Sequence, residues 1–388
     1  MHFEHDIVVI GAGMAGASVA AHLAKHASVR LLEMEPQPGY HSTGRSAAVF
    51  FEHYGNNAVR ALTRASREFF SSPGADFSAI ALLKPRPVLM IARTGQSDAL
   101  SGFLEAAAGA TGIEVKTGTE TRALHPLLRS DGLLGGAYIS NSGDIEVHGL
   151  HQGYLRLLQS RRGALTTGAQ VTHLERSCGI WTVSTVRDTF RAEVVVNAAG
   201  PWAGQVGKLA DAIDVGLQPR KRTACLIKPP PDQMIEDWPM LVDAGEEFYL
   251  KPDAGMLLLS PADETSCEPC DAQADDLDIA MAVDRIERAT TLNVTRVTHK
   301  WAGLRSFVKD RSPVVGFDPI QPGFFWHAAL GGYGIQTAPA LSRTAAALAM
   351  RKPIDDDLLE FGITEAALSP SRLVRNSSLE LNVPFGII

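Results

Sequence analysis

Cysteine and positive charge are both scarce in this sequence. Only four cysteines occur in 388 residues: Cys178, Cys225, Cys267 and Cys270. The first residues, Met1 to Asp6, have no basic region and no small-residue cleavage site. Together these point to a reducing, cytoplasmic setting. No apolar run reaches the about 18 residues that argue for a membrane span, so no transmembrane segment is expected. The apolar tract Ile335 to Met350 carries Arg343 and reads as a buried helix; peripheral membrane attachment stays open. Basic residues number 36 against 43 acidic ones, a net charge of −7. Nucleic acid is therefore not an expected partner, because phosphate binding needs a basic face. Cys267 and Cys270 form a lone CxxC with no second pair and no HxxxH partner. No metal is expected there, and Glu264 to Asp276 reads as a surface loop.

What the chain does have is apolar residues, at 45%, and 35 glycines. That is the profile of a globular protein with a sizeable core. Asp6 to Ile10 is a short apolar strand, Met14 to His26 an Ala-rich helix and Val29 to Glu33 a second strand, one βαβ unit. Helices are expected over Asn57 to Ser72, Asp98 to Ala108 (with Ser97 as cap), His148 to Arg161 and Ile279 to Thr290. Strands are expected over Val88 to Ala92, through Ala164 to Asn197, through Leu217 to Ser260, and at Phe324 to Ala329. The layout predicts an α/β plus α+β protein. A Rossmann-type nucleotide-binding domain (1–84, 143–216 and 312–388) is interrupted by a substrate domain with a mixed or antiparallel sheet (85–142 and 217–311).

Gly11-Ala12-Gly13-Met14-Ala15-Gly16 fits G-x-G-x-x-G between the first strand and helix. The first glycine makes the turn, the second admits the pyrophosphate and the third lets helix and strand pack. Glu33 ends the next strand, where a carboxylate accepts from ribose hydroxyls and repels a 2′-phosphate. The motif alone does not separate NAD from FAD. The loop Ser42-Thr43-Gly44-Arg45-Ser46-Ala47-Ala48 is small and polar. Such a backbone can lie against a flat ring system while Arg45, Ser42, Thr43 and Ser46 satisfy phosphates and polar ring atoms.

These segments, with Asn197 to Trp202, Trp301 to Arg305 and Gly331 to Thr337, resemble the D-amino-acid oxidase superfamily of flavoproteins. Within it, His41 to Ala48 and Phe248 to Met256 are similar to the FAD-dependent D-arginine dehydrogenases. The resemblance covers nearly the whole chain. It implies FAD and hydride transfer from a substrate Cα to flavin N5, followed by hydrolysis of the imine to a 2-oxo acid and ammonia. No cysteine lies near Trp301 to Arg305 or Gly331 to Thr337, so non-covalent FAD is expected. The resemblance adds Met34, Val171, Ala199, Gly200, Trp202, Gly303, Gly331, Gly332, Tyr333, Gly334, Ile335, Gln336 and Thr337 to the cofactor site. Gly331 to Thr337 is expected to open the last long helix beneath the flavin, with Gln336 contributing its side chain.

An amino-acid substrate brings a carboxylate, and arginine binds one through a bidentate fork. Arg305 stands in an apolar neighbourhood. Strand alternation puts Arg220 and Arg222 on one face without choosing between them; the resemblance picks Arg222. It also implies that Tyr54 and Tyr249 touch or cover the carboxylate, and that Val49, Phe51, Val88, Met240, Gly332 and Gln336 line the pocket. Val88 stands where the D-arginine enzymes carry a glutamate, and Val49 and Phe51 replace a histidine and a threonine. An unpaired guanidinium there is costly, so apolar or aromatic D-amino acids are the expected substrates. Glu246 and Glu247, before Tyr249, remain a source of a replacement carboxylate. The electron acceptor is a quinone, another carrier or oxygen. The alternatives are an oxidase of N-methyl or other amino acids, a 2-hydroxy-acid dehydrogenase and a non-catalytic flavin subunit.

Overall fold

The computed structural model describes residues 2–74, 76–231 and 233–374. Its centre is the strand His2–Ile10, in which Ile7 to Ile10 are buried. This strand pairs in parallel with Val29–Leu32 on one side and Thr189–Asn197 on the other. Ala164–Thr166 and Phe324–Ala328 extend the parallel array. Val171–Ser177, Ile180–Thr185 and Val314–Phe317 add antiparallel strands. Apolar clusters cover both faces, as a parallel sheet requires. One contains helices Met14–Leu23, Val147–Ser160 and Ala338–Ala349; the other gathers Trp181, Phe190 and Trp326. The first helix sits close because its buried side is Gly16, Ala17, Ala20 and Ala21.

The second sheet has the order Val297–Phe307, Gln218–Ile227, Met256–Ser260, Tyr249–Asp253, Met240–Asp243, Val88–Arg93, Leu133–Ile139, Ile113–Thr117. It is mixed: Met240–Asp243 runs parallel to Val88–Arg93, and the other pairs are antiparallel. One face packs on the helix Asp276–Ala289. The other carries Phe51, Met90, Met240 and Tyr249. The long pair Gln218–Ile227 and Val297–Phe307 sets Arg220 opposite Arg305 and Arg222 opposite Gly303. The expected fold class, a Rossmann-type sheet joined to a mixed sheet, is the one observed.

Helix ends depart from the sequence reading. Ser97 lies inside the helix Ser97–Ala106, whose N-cap is Gln96 and makes no side-chain cap bond. The helix Val147–Ser160 is capped by Glu146, which accepts from the Gly149 amide. The last long helix is Ala338–Ala349, preceded by Thr337 and with proline in its first turn. Gly331 to Thr337 is therefore a turn ahead of that helix. Proline, which has no N–H to offer, fits the first turn best and marks the later start.

Candidate active site

An elongated cavity starts at the Gly11 turn and runs to the junction of the two sheets. Gly11, Gly13, Met14, Ala15, Glu33, Met34, Ser42 and Thr43 line one end, with Val171, Ala199, Gly200 and Trp202 alongside. Arg45, Ser46, Ala47, Gly303, Gly331, Gly332, Gly334 and Ile335 line the other. Gly11 has φ +96°, and a Cβ there would stand 2.6 Å from the Ala198 carbonyl oxygen. A Cβ on Gly16 would stand 1.7 Å from the Gly11 carbonyl oxygen, so Gly16 is outside the cavity wall and allows the helix to pack. Gly13 has only the Thr43 Oγ1, at 3.3 Å, near its missing Cβ. That leaves a backbone cradle open to a phosphate at a helix N-terminus. The Glu33 carboxylate accepts from the amides of Ala12 (2.8 Å) and Glu35 (3.0 Å). Burial raises its pKa, against the pull of those amides. Glu33 lines the same end of the cavity as Gly11 and Gly13. These features match the shape and donor set of FAD.

Several predicted contacts are arranged otherwise. Arg45 lines the cavity, but its guanidinium is engaged within the protein, donating to the carbonyls of Ala272 (2.8 Å) and Ala302 (3.0 Å) and pairing with Asp271. It clamps the loop carrying Cys267 and Cys270 and does not offer its charge to a phosphate. Ser42 donates to the Leu304 carbonyl at 2.6 Å, and Thr43 Oγ1 accepts from the Met14 amide at 2.9 Å. Gly44 shapes a turn by donating to the Gly39 carbonyl and does not line the cavity. Gln336 accepts from the Phe51 amide (3.1 Å) and donates to Thr63 (3.1 Å), so both ends of its amide are engaged within the protein, and it borders the neighbouring cavity and not this one. Thr337 is fully buried and donates to the Tyr333 carbonyl. Ala48 and Tyr333 border the neighbouring cavity instead.

That second cavity shares Ser46, Ala47, Arg222, Tyr249, Arg305 and Gly332 with the first. The two cavities meet in a seam at these residues. Val49, Phe51, Met90, Phe103 and Met240 form an apolar wall. Val88 is fully buried behind it, in the same cluster, and does not reach the cavity. The lining position belongs to Met90, two residues along and on the same strand face.

Arg305 donates from Nη1 to the Tyr54 hydroxyl at 3.3 Å. Among the described residues it has no carboxylate within ion-pair distance. Burial works against its charge, but the hydroxyls of Tyr54, Tyr249 and Tyr333 outweigh it and its pKa is raised. The strand bearing Arg305 reaches the glycine turn through the Gly331 amide, which donates to the Ser306 carbonyl at 2.9 Å. A Cβ on Gly332 would lie 2.7 Å from Arg305 Nη1, so this glycine makes room for the guanidinium. Tyr54 stacks on Phe51 and meets Tyr333 edge-on, ring centres 5.0 Å apart. Arg222 lines both cavities and Arg220 neither. Arg222 donates to the Asp263 carbonyl at 2.8 Å and to Glu264 at 3.3 Å. Lys221 points to the opposite face and pairs with Asp278 at 2.6 Å.

Sequence reasoning missed Glu264, Arg311 and Phe103 on this wall and left His53 out of the site. His53 has a buried Nε2 without a partner, and burial lowers its pKa. No local pattern marks these residues, because the fold gathers them from remote parts of the chain, Phe103 from the helix Ser97–Ala106 and the others from connecting segments. No cysteine lines either cavity among the described residues, and no helix there is long and apolar enough to cross a membrane.

The family model described as "DAO: FAD dependent oxidoreductase" matches residues 6–348. The chain is 26% identical over 262 residues to the bovine (Bos taurus) "FAD-dependent oxidoreductase domain-containing protein 1", covering 58% of this chain and 54% of that protein. It is 32% identical over 141 residues to mitochondrial dimethylglycine dehydrogenase of Rattus norvegicus, covering 36% of this chain and 16% of that one. It is 24% identical over 256 residues to glycine oxidase of Geobacillus kaustophilus, covering 65% and 66%. The alignments thus span about half of the bovine relative and a small part of the rat enzyme. Among solved structures, glycine oxidase from Geobacillus kaustophilus superposes with a TM-score of 0.80 at 21% identity, over 93% of this chain and 99% of that one. L-proline dehydrogenase from P. horikoshii gives 0.81 at 18% identity, over 96% and 98%. Both share the fold.

Proposed function

The chain belongs to the DAO family of FAD-dependent oxidoreductases, and from that premise we propose that it oxidatively deaminates D-amino acids with apolar or aromatic side chains. The observation that carries this reading is Arg305: a guanidinium in the cavity wall with no carboxylate partner among the described residues. Stripping a charge of water is costly unless an anion replaces that water. A substrate carboxylate is that anion, and the Tyr54 hydroxyl beside Arg305 adds a donor. Arg222 reaches the same seam from the neighbouring strand. The apolar wall of Val49, Phe51, Met90, Phe103 and Met240 suits an apolar or aromatic side chain, and Glu246, but not Glu247, borders the same cavity as the carboxylate a basic side chain would need.

When bound, FAD supplies the acceptor for a hydride from the substrate Cα. The chain's own work is positioning. Arg305 fixes the carboxylate, Tyr54 and Tyr249 cover it and exclude water, and Gly332 lets these groups approach closely. The amine must be neutral for the hydride to leave. The imino acid formed is hydrolysed by water to a 2-oxo acid and ammonia. With no cysteine on either cavity wall among the described residues, the reading is FAD held without a covalent cysteine bond. We also propose that the two sheets mark two domains, 1–84, 143–216 and 312–388 for the cofactor, 85–142 and 217–311 for the substrate.

A second reading, oxidation of glycine or N-methylated amino acids, draws support from the relatives named glycine oxidase and dimethylglycine dehydrogenase. One experiment separates the two. The holoprotein is mixed without oxygen with D-leucine, D-phenylalanine, D-methionine, D-arginine, glycine and sarcosine, and loss of flavin colour is timed. The first reading predicts fastest bleaching by the apolar and aromatic D-amino acids. Fastest bleaching by sarcosine or glycine selects the second, and D-arginine in first place contradicts both. Admitting air afterwards distinguishes an oxidase, which recolours rapidly, from a dehydrogenase that uses a quinone or other carrier.

A further inference from the structure

Four arginines, Arg60, Arg222, Arg305 and Arg311, border the substrate cavity, and one acid engages two of them. The loop bearing Glu264 lies along the strand Gln218–Ile227, held by the Thr223 amide, which donates to Asp263 at 2.6 Å, and the Lys221 amide, which donates to the Thr265 carbonyl at 2.8 Å. Glu264 Oε1 accepts from Arg311 Nη2 at 2.8 Å and from Arg222 Nη2 at 3.3 Å. Its Oε2 accepts from Arg311 Nη1 at 3.0 Å and lies 3.6 Å from Arg220 Nη1. The Arg311 contact is a two-oxygen fork, the geometry in which a guanidinium receives a free carboxylate. Burial pushes the Glu264 carboxyl up, but Arg311, Arg222 and Arg305 outweigh it and hold the pKa below the usual range. Glu264, Arg222, Arg305 and Arg311 all border the same cavity. Arg222 opposes Gly303, so Arg305 is its diagonal neighbour, at the about 7–8 Å typical of such pairs.

We infer that Glu264 is a specificity residue: its carboxylate fills a second carboxylate-binding position, made by Arg222 and Arg311, and restricts the site to acids with one carboxylate. This deepens the reading of Arg305 as the substrate's carboxylate receptor and rests on it. A short diacid anchored on Arg305 brings its second carboxylate towards Arg222 and Arg311. There it meets the fixed negative charge of Glu264, with no guanidinium fork left to receive it. A like charge built into a site rejects the wrong ligand as effectively as a good contact retains the right one.

The test uses two acids without an amine, propionate and succinate, titrated into holoprotein while the visible flavin spectrum is followed. Wild type is expected to bind propionate more tightly than succinate. Glu264→Ala removes the internal carboxylate and raises succinate affinity relative to propionate by about ten-fold or more. Adding Arg311→Ala to that variant abolishes the relative gain. Glu264→Gln, which keeps the shape and removes the charge, shifts the ratio in the same direction by less. It decides by the same criterion if the alanine variant does not retain FAD. A role confined to bracing Arg311 against Phe307, 3.9 Å from its ring centre, changes both affinities alike. An unchanged ratio, or a gain that survives loss of Arg311, overturns the inference. Failure of the underlying reading shows separately, as propionate binding that Arg305→Leu leaves intact.

Discussion

At the scale of single residues, Arg305 is the group on which the proposed function turns. Arg305→Leu is expected to lower kcat/KM by on the order of a hundred-fold, about 3 kcal/mol, the cost of unpairing a desolvated substrate carboxylate. Tyr54→Phe removes one hydrogen-bond partner and is expected to cost about 1 kcal/mol. Steady-state kinetics on the preferred amino acid check both, and equal effects from the two changes would contradict this ranking. Arg305 was legible in the sequence because a lone arginine in an apolar strand calls for a partner. Arg45 and Gln336 looked equally available there, yet both are consumed inside the protein. Their partners, Asp271 with Ala302 and Phe51 with Thr63, come from remote parts of the chain. Val88 illustrates the same limit. The resemblance put it on the pocket wall, but which residue of that strand face reaches the cavity depends on where the strand crosses the pocket, and that residue is Met90.

At the scale of elements, the glycine turn divides its work among three positions. Gly16 serves packing, since a Cβ there would overlap the Gly11 carbonyl at 1.7 Å. Gly13 serves the ligand, since its missing Cβ has only a side-chain oxygen at 3.3 Å nearby. Gly16→Ala is therefore expected to displace the first helix and destabilise the protein whether or not FAD is present. Gly13→Ala should leave the melting temperature of the apoprotein within a few degrees of wild type, a change of about 0.5 kcal/mol or less. It should weaken FAD binding by about ten-fold or more, because the added methyl occupies the space of the pyrophosphate. Thermal melts with and without FAD, together with FAD titration, measure both effects. This turn and its helix were the most legible element, because spacing, strand and helix agree within one short stretch. The start of the last helix was read too early, because apolar periodicity extends through Ile335 while the backbone of Gly331 to Thr337 is a turn.

At the scale of the whole molecule, the chain leaves the cofactor sheet and returns to it twice, so the site forms only when both sheets are in place. The Arg222–Glu264–Arg311 cluster could not be read locally, because Glu264 stands 42 and 47 residues from its two arginines and meets them only when its loop folds back along the strand Gln218–Ile227. Assembly at this scale also withdraws histidines from water, and burial lowers the pKa of His151 among them. Burial lowers His22, His125 and His327 from 6.5 to about 4. Between those values the unfolded chain binds protons that the folded chain refuses. Stability is therefore expected to be full above pH 6.5 and to fall as the pH drops towards 4, by up to about 3 kcal/mol per site. Denaturation midpoints recorded across this range test it. His125→Gln should reduce the slope, because His125 lies far from both cavities, against Trp238.

The central claim is that a family flavoprotein accepts its substrate through a carboxylate held on Arg305. The most direct measurement is anaerobic addition of D-leucine to wild-type and Arg305→Leu holoproteins, with the visible flavin absorbance followed in time. The expected result is rapid loss of colour in wild type and little loss in the variant at the same concentration. Bleaching of both proteins at one rate would contradict the account.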